Sequence, residues 1–106
     1  MKSLFVGIIS MFVFISVLFA DEPKGEKLFK EYCWGCHHQT AEAFGPSLKT
    51  IANKRNSAQI IAQIVNPDET YKSLGYGRNS MPAFNDLKSQ ELHDLVTFIY
   101  KFKDKK

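Results

Sequence analysis

Apolar side chains recur with the 3.6-residue period of an α-helix in four segments of the chain, at residues 23–35, 47–54, 57–66 and 89–102. Neighbours three or four positions apart lie on one face of a helix, so each segment has one apolar stripe. In chain order the stripes are Leu28, Phe29, Tyr32 and Cys33; Leu48, Ile51 and Ala52; Ile60, Ile61, Ile64 and Val65; and Leu92, Leu95, Val96, Ile99 and Phe102. No strand pattern stands out, and we therefore predict an all-α fold with four helices.

Residues at the ends of these segments are typical of helix boundaries. Pro23 suits a first helical turn, and Pro67 ends the third segment because it cannot continue a helix. Ser57 and Ser89 are the predicted N-caps of the third and fourth helices. Residues 67–88 form a long loop in this prediction, and its several aromatic side chains indicate that it packs against another part of the molecule.

The N-terminal residues have a different character. Residues 4–19 form an uncharged apolar run, and the acidic pair Asp21-Glu22 follows Ala20 directly. This layout predicts a signal peptide at residues 1–20 and an exported, periplasmic domain at residues 21–106. The residue three positions before the cut is a leucine, larger than the residue preferred there, so an uncleaved membrane anchor formed by residues 4–19 is the alternative.

Length and charge narrow the class of protein further. Removal of the predicted signal leaves 86 of the 106 residues. The whole chain has 14 Lys and Arg and 11 Asp and Glu, and one lysine is lost with the signal, so the remaining domain has a formal charge of +2. This small charge argues against nucleic acid as a partner. A domain of this size has a marginal core and commonly relies on a disulfide or a bound group for stability.

Both cysteines of the chain lie in the sequence Cys33-Trp34-Gly35-Cys36-His37. C-x-x-C-H is the attachment signature of c-type haem. Thiols at i and i+3 of a helical turn share a face, so Cys33 and Cys36 can bond the two vinyl groups along one haem edge. His37 is then placed to ligate the iron. A haem is also a large apolar disc around which a small domain can fold.

Met81 is the candidate for the second axial position. It is the one methionine outside the predicted signal, and it lies in the aromatic loop before the stiff residue Pro82. A loop methionine more often fills gaps in a core, but the upstream haem motif favours a thioether ligand. His38 and His93 are the competitors. His38 adjoins the first ligand and cannot reach the opposite haem face, and His93 lies beside the apolar stripe of the last helix.

The chain resembles a class I cytochrome c of the short bacterial monohaem type over residues 23–102. The C-x-x-C-H motif carries the resemblance together with Gly45-Pro46-Ser47-Leu48 and Met81-Pro82-Ala83-Phe84, which are similar to the G-P-x-L and M-P-A-F segments of that family. It implies the small cytochrome c fold, with four helices around one covalently bound haem. It also implies that the Pro46 carbonyl accepts a hydrogen bond from His37 and so orients the imidazole.

Further expectations follow from this resemblance. Gly25 and Phe29 match the positions where the first helix crosses the last, and Leu95 and Phe98 match their contacts. The tryptophan that holds a haem propionate in longer members is missing. Possible substitutes are Tyr71, Tyr76, Arg78 and Asn79. We expect Trp34 to pack near the haem edge.

The function predicted from these features is that of a periplasmic single-electron carrier. It would be a monomer and not an enzyme, with one haem c whose iron is ligated by His37 and Met81. It would dock transiently on larger redox proteins, and it would contact a membrane only if the N-terminal segment is retained.

Three alternatives remain at this point. The first is a haem c subunit fixed within a membrane-bound redox complex. The second is a C-x-x-C thiol–disulfide oxidoreductase, which usually requires a strand-helix-strand context. The third, a zinc site, lacks the second ligand pair that structural zinc requires.

Overall fold

The structure is a computed structural model that describes residues 23–105. Its helices are α1 (Lys24–Tyr32), α2 (Leu48–Lys54), α3 (Ser57–Val65), α4 (Pro67–Thr70) and α5 (Ser89–Tyr100). Since this part of the chain holds helices and no strands, the all-α prediction is confirmed. The predicted signal peptide and the alternative anchor lie outside the described residues. Within the described range, no helix is long and apolar enough to cross a membrane.

Helices α1 and α5 cross at a glycine, as expected from the resemblance. Phe29 is completely buried, and its ring centroid lies 5.5 Å from that of Phe98. A Cβ added to Gly25 would overlap the main-chain oxygen of Asp94 and lie 2.8 Å from the Phe98 Cβ. The two backbones therefore approach more closely than any side chain at position 25 would allow.

The apolar stripes meet in one core. Each of α2, α3 and α5 contributes buried side chains, and Leu95 of α5 is only 1% exposed. Besides Phe29, this core contains Leu48, Ala52, Ile60, Ile64, Leu92, Leu95, Val96, Phe98 and Ile99. Met81 and Phe84 pack against it from the long connection before α5. The predicted inward faces of the helices observed as α2, α3 and α5 are thus confirmed.

The predicted N-caps are wrong by one residue in both helices. Helix α3 is capped by Asn56, whose side chain accepts from Gln59 N while the Gln59 side chain accepts from Asn56 N. This reciprocal capping box makes Ser57 the first helical residue. At α5, Ser89 is likewise inside the helix, and the Glu91 carboxylate accepts a hydrogen bond from Lys88 N.

The prediction of an unstructured loop at residues 67–88 is wrong at its start. Pro67 ends α3 and also opens the short helix α4, where its fixed φ and missing N–H suit the first turn. The side chain of Thr70 donates to Asn66 O at 2.9 Å. A proline was correctly interpreted as the end of one helix, but it serves as the first residue of another.

The α1–α5 crossing should tolerate no side chain at position 25. We predict that Gly25→Ala lowers the free energy of unfolding by about 2 kcal/mol, because the new Cβ meets main-chain atoms that cannot move aside. Gly77→Ala is the matched control, since a Cβ there meets nothing within 4 Å. Denaturant unfolding of the haem-loaded protein gives the comparison. Equal stability of the two variants would contradict this account of the crossing.

Candidate functional site

The C-x-x-C-H sequence continues the last turn of α1. Cys33 N donates to Phe29 O at 2.8 Å, and both Cys36 N and His37 N donate to Cys33 O, at 3.2 and 3.0 Å. Although α1 itself ends at Tyr32, these bonds keep the motif in a helical turn. Cys33 is partly buried, Cys36 is exposed, and both are free thiols. The two sulfur atoms are therefore available on one turn for the same haem edge.

The electrostatics of Cys33 do not suit a redox-active dithiol. Burial, with a smaller contribution from Cys36, raises the pKa of the Cys33 thiol to about 11. Thiol–disulfide oxidoreductases rely on a thiolate with a lowered pKa, since the thiolate is the nucleophile. Together with the absence of strands in residues 23–105, this disfavours the oxidoreductase alternative.

One hydrogen bond orients the His37 ring. Nδ1 of His37 lies 2.7 Å from Pro46 O. A carbonyl oxygen can only accept, so Nδ1 carries a proton, and in the neutral ring Nε2 then keeps its lone pair. This is the arrangement in which a histidine can donate Nε2 to a metal, with the second partner fixing the tautomer.

Gly45 allows the loop to approach that close to the imidazole. A Cβ at position 45 would overlap Cε1 of His37 and lie 2.8 Å from Nδ1. Gly45 N also donates to Cys36 O at 2.8 Å, which fastens the loop to the cysteine turn. The glycine thus forms one wall of the space that the His37 ring occupies.

Glu42 ties the same loop to the start of α2. Its carboxylate accepts from Thr50 Oγ1 and from Ser47 N, each at 2.7 Å. These two hydrogen bonds lower the pKa of Glu42, that from Thr50 contributing most. Leu48 N adds a main-chain bond to His38 O at 2.8 Å. The loop between His37 and Pro46 is therefore held at both ends.

Met81 lies on a segment that is attached to two helices. Phe84 N donates to Ile64 O of α3 at 2.9 Å, and the Phe84 ring packs edge-on against Tyr32 of α1 at 5.8 Å. The Met81 main chain is bonded to the side chain of Asn79. Its own side chain is partly buried against the core.

Gln63 of α3 contacts the Met81 sulfur and was not singled out from the sequence. Its Nε2 donates to Met81 Sδ at 3.9 Å, and its Oε1 is buried with no hydrogen-bond partner in the described part of the chain. The available signal was weak: Gln63 is the one polar side chain between Ile60 and Val65. The Gln63 amide is therefore a polar neighbour of the thioether sulfur.

The competing histidines are placed differently. His38 is exposed and stacks on Trp34, with ring centroids 5.0 Å apart. Trp34 also contacts Phe29 edge-on at 5.6 Å and is 46% exposed. His93 lies on the exposed side of α5. His38 and His93 are thus both exposed, whereas His37 and Met81 are partly buried.

The four side chains considered as partners of a haem propionate differ in their contacts and exposure. Tyr76 lies under the Arg55 guanidinium at 5.4 Å, and Arg55 Nη2 donates to Leu74 O. Tyr71 is beside Lys72, and Arg78 is exposed. Both amide hydrogens of Asn79 are already engaged, by Asp68 and by Met81 O.

The donor set fits a covalently attached haem. Two thiols lie on one turn, the imidazole beside them uses Nδ1 to bond Pro46 O, and a thioether lies on a segment that packs against the core. Within residues 23–105, no three His, Cys, Asp or Glu side chains group together as a bare metal site.

Comparisons with known proteins find one family and two relatives that resemble this chain. The family described as cytochrome C oxidase, cbb3-type, subunit III matches residues 20–99. Cytochrome c6 of Cyanidioschyzon merolae is 29% identical over 106 residues, covering 93% of this chain and 92% of the relative. Cytochrome c6 of Cyanidium caldarium is 27% identical over 88 residues, covering 81% and 75%. No solved structure matches the chain.

The Glu42 carboxylate should stabilise the fold only when it is charged. Because its pKa is lowered in the folded protein, its contribution is present above the ordinary glutamate pKa and is lost as the pH falls through the lowered value. We predict that Glu42→Gln unfolds more easily than the parent at neutral pH and that the difference disappears on acidification. Asp86→Asn, which changes an exposed carboxylate elsewhere, serves as control. A difference that persists in acid would refute this assignment.

Proposed function

Because this chain belongs to the cytochrome c family described as cbb3-type cytochrome c oxidase subunit III, we propose that it is a periplasmic one-electron carrier with His37 and Met81 as axial haem ligands. The family and the cytochrome c6 relatives show that the chain is a small class I monohaem cytochrome c with one covalently bound haem c. The haem iron, when bound, supplies a one-electron couple between the ferric and ferrous states.

The observation that carries the proposal is the bond between His37 Nδ1 and Pro46 O at 2.7 Å. It leaves Nε2 as a donor for the iron, one residue after the second thiol of an attachment motif. Pro46 makes the imidazole more electron-rich and prevents it from rotating. Cys33 and Cys36 would hold the haem by thioether bonds, so the haem would stay attached while the protein carries successive electrons.

Met81 supports electron transfer in two ways. A thioether ligand raises the reduction potential relative to a second imidazole. As a ligand, Met81 would also keep water and small molecules away from the metal. A closed site of this kind favours electron transfer over oxygen chemistry, and it matches a protein whose role is to carry electrons.

Docking on a redox partner would use the exposed surface near the attachment motif. Phe44 adjoins Gly45 of the loop that holds His37, and it is 96% exposed. An exposed aromatic side chain at this place offers an apolar contact that a larger protein can cover and release. Transient docking of this kind suits a carrier that must leave its partner after each electron.

A second function is favoured by one observation. The matching family is described as a subunit of a cbb3-type oxidase. This description favours a haem c subunit that relays electrons within a membrane-bound complex. The chain spans 92% and 75% of the two cytochrome c6 relatives, which favours the separate carrier.

Covalent attachment through both cysteines is the first test. Protein matured in a periplasm should keep its colour in acidified organic solvent and stain for haem after denaturing electrophoresis. Replacing Cys33 and Cys36 together by alanine should abolish both signals, because no thioether can then form. Release of the pigment from the parent protein would disprove covalent attachment and the function built on it.

Substitution of the second axial ligand is the sharper test of the ligand set. We predict that Met81→His keeps the attached haem but lowers the reduction potential by on the order of 0.1 V, since imidazole stabilises ferric iron better than a thioether. Asp86→His adds a histidine at an exposed position and should leave the potential unchanged. An unchanged potential in Met81→His would remove Met81 from the coordination shell.

Membrane fractionation of the natural host separates the carrier from the fixed subunit. The carrier proposal expects the haem-stained chain in the periplasmic fraction, shortened by residues 1–20. Recovery only in a membrane complex would favour the oxidase-type subunit.

A further inference from the structure

The Met81 segment has little support from its own backbone. Across residues 77–83, the described part of the chain shows no hydrogen bond between two main-chain groups. The nearest such bonds join Tyr76 N to Tyr71 O and Phe84 N to Ile64 O. Something other than secondary structure must therefore hold Met81 in place.

The side chain of Asn79 provides that support. Its Oδ1 accepts from Met81 N at 3.0 Å, and its Nδ2 donates to Met81 O at 3.0 Å. One planar amide thus binds both polar main-chain groups of the same residue. Pro82 restricts Met81 further, because the residue before a proline is confined to extended conformations.

Asp68 fixes the orientation of this amide. Its Oδ1 accepts the second Nδ2 hydrogen of Asn79 at 2.9 Å. Rotating the amide by half a turn would place its oxygen against the Asp68 carboxylate and against Met81 O, which are both acceptors. Only one orientation satisfies all three contacts, and in that orientation the amide supports Met81.

Asp68 is itself on a rigid element. It lies in α4, where the preceding residue Pro67 is among the most deeply buried of the chain. The hydroxyl of Thr70 bonds α4 to Asn66 O at the end of α3. A continuous series of contacts therefore runs from α3 through α4 and Asn79 to Met81.

We propose that Asn79, oriented by Asp68, is a positioning residue that holds the Met81 thioether toward the haem iron and sets how readily another ligand displaces it. This inference rests on the proposed function, in which Met81 is an axial ligand. The amide restricts the backbone of Met81 and so keeps the sulfur in place when the iron changes oxidation state.

Displacement of the thioether by imidazole measures this role directly. Ferric haem with a thioether ligand has a weak far-red absorption band, and added imidazole removes it. We expect Asn79→Ala to keep the covalent haem but to lose the band at about tenfold lower imidazole concentration, the equivalent of a lost hydrogen-bond anchor. Asn85→Ala, which changes an exposed asparagine of the same connection, should match the parent.

Paired substitutions test the part played by Asp68. Asn79→Asp should weaken the binding of the Met81 thioether to the iron more than Asn79→Ala does, because it places a second carboxylate against Asp68. Its far-red band should therefore be lost at a still lower imidazole concentration. Combining it with Asp68→Asn removes this repulsion and should restore part of the resistance to imidazole. Asp68→Asn alone keeps an acceptor oxygen and should stay near the parent, whereas Asp68→Ala should weaken the ligation.

The possible outcomes distinguish a failure of the Asn79 positioning role from a failure of Met81 as the axial ligand. If Met81→Ala loses the band while Asn79→Ala resists imidazole like the parent, the positioning role is wrong and the ligand assignment stands. If Met81→Ala keeps the band, the ligand assignment itself fails. If Asn79→Ala does not fold, Asp68→Ala and the paired variants decide, and their equality with the parent would overturn the inference.

Discussion

The His37 imidazole is held by the main-chain carbonyl of Pro46, and several surrounding contacts fix the position of that carbonyl. Pro46 O reaches Nδ1 because Gly45 has no side chain to collide with the ring. The loop that carries Pro46 is fastened to the cysteine turn at one end and, through Glu42, to the start of α2 at the other. The protein itself therefore sets the orientation of this imidazole.

The segments that carry His37 and Met81 are supported by different means. His37 lies five residues after the end of α1 and gains its position from turn hydrogen bonds that continue past Tyr32. Met81 lies in a stretch without main-chain pairing, and it is placed by the core, by Gln63 and by Asn79. Gly25 lets α1 pack closely against α5, the helix that contributes half of the buried core residues.

This difference has a consequence for a small electron carrier. If Met81 is the axial ligand proposed above, its irregular segment makes it easy to displace once the support of that segment is lost. The protein concentrates polar side-chain contacts at that segment, where the backbone offers none. The core helices are supported mainly by apolar burial, and the membership in a cytochrome c family agrees with a small helical domain that binds one haem c.

Features that depend on local pattern were predictable from the sequence. The helix faces followed from a 3.6-residue period, and the cysteine motif followed from residues that are adjacent in the chain. Helix boundaries were less certain: Asn56 replaced Ser57 as N-cap, since a capping box with Gln59 satisfies two donors at once. The start of α4 at Pro67 was missed, because a proline that ends one helix can also begin the next.

The sequence by itself determined that two thiols and an imidazole would share a turn, and that four apolar faces would need a common core. Tertiary structure alone decided that Gln63 meets the Met81 sulfur and that Asp68 orients Asn79. These partners are 18 and 11 positions apart, and polar contacts between separate segments follow no period along the chain. Only the packed arrangement of α3, α4 and the Met81 segment brings them within bonding distance.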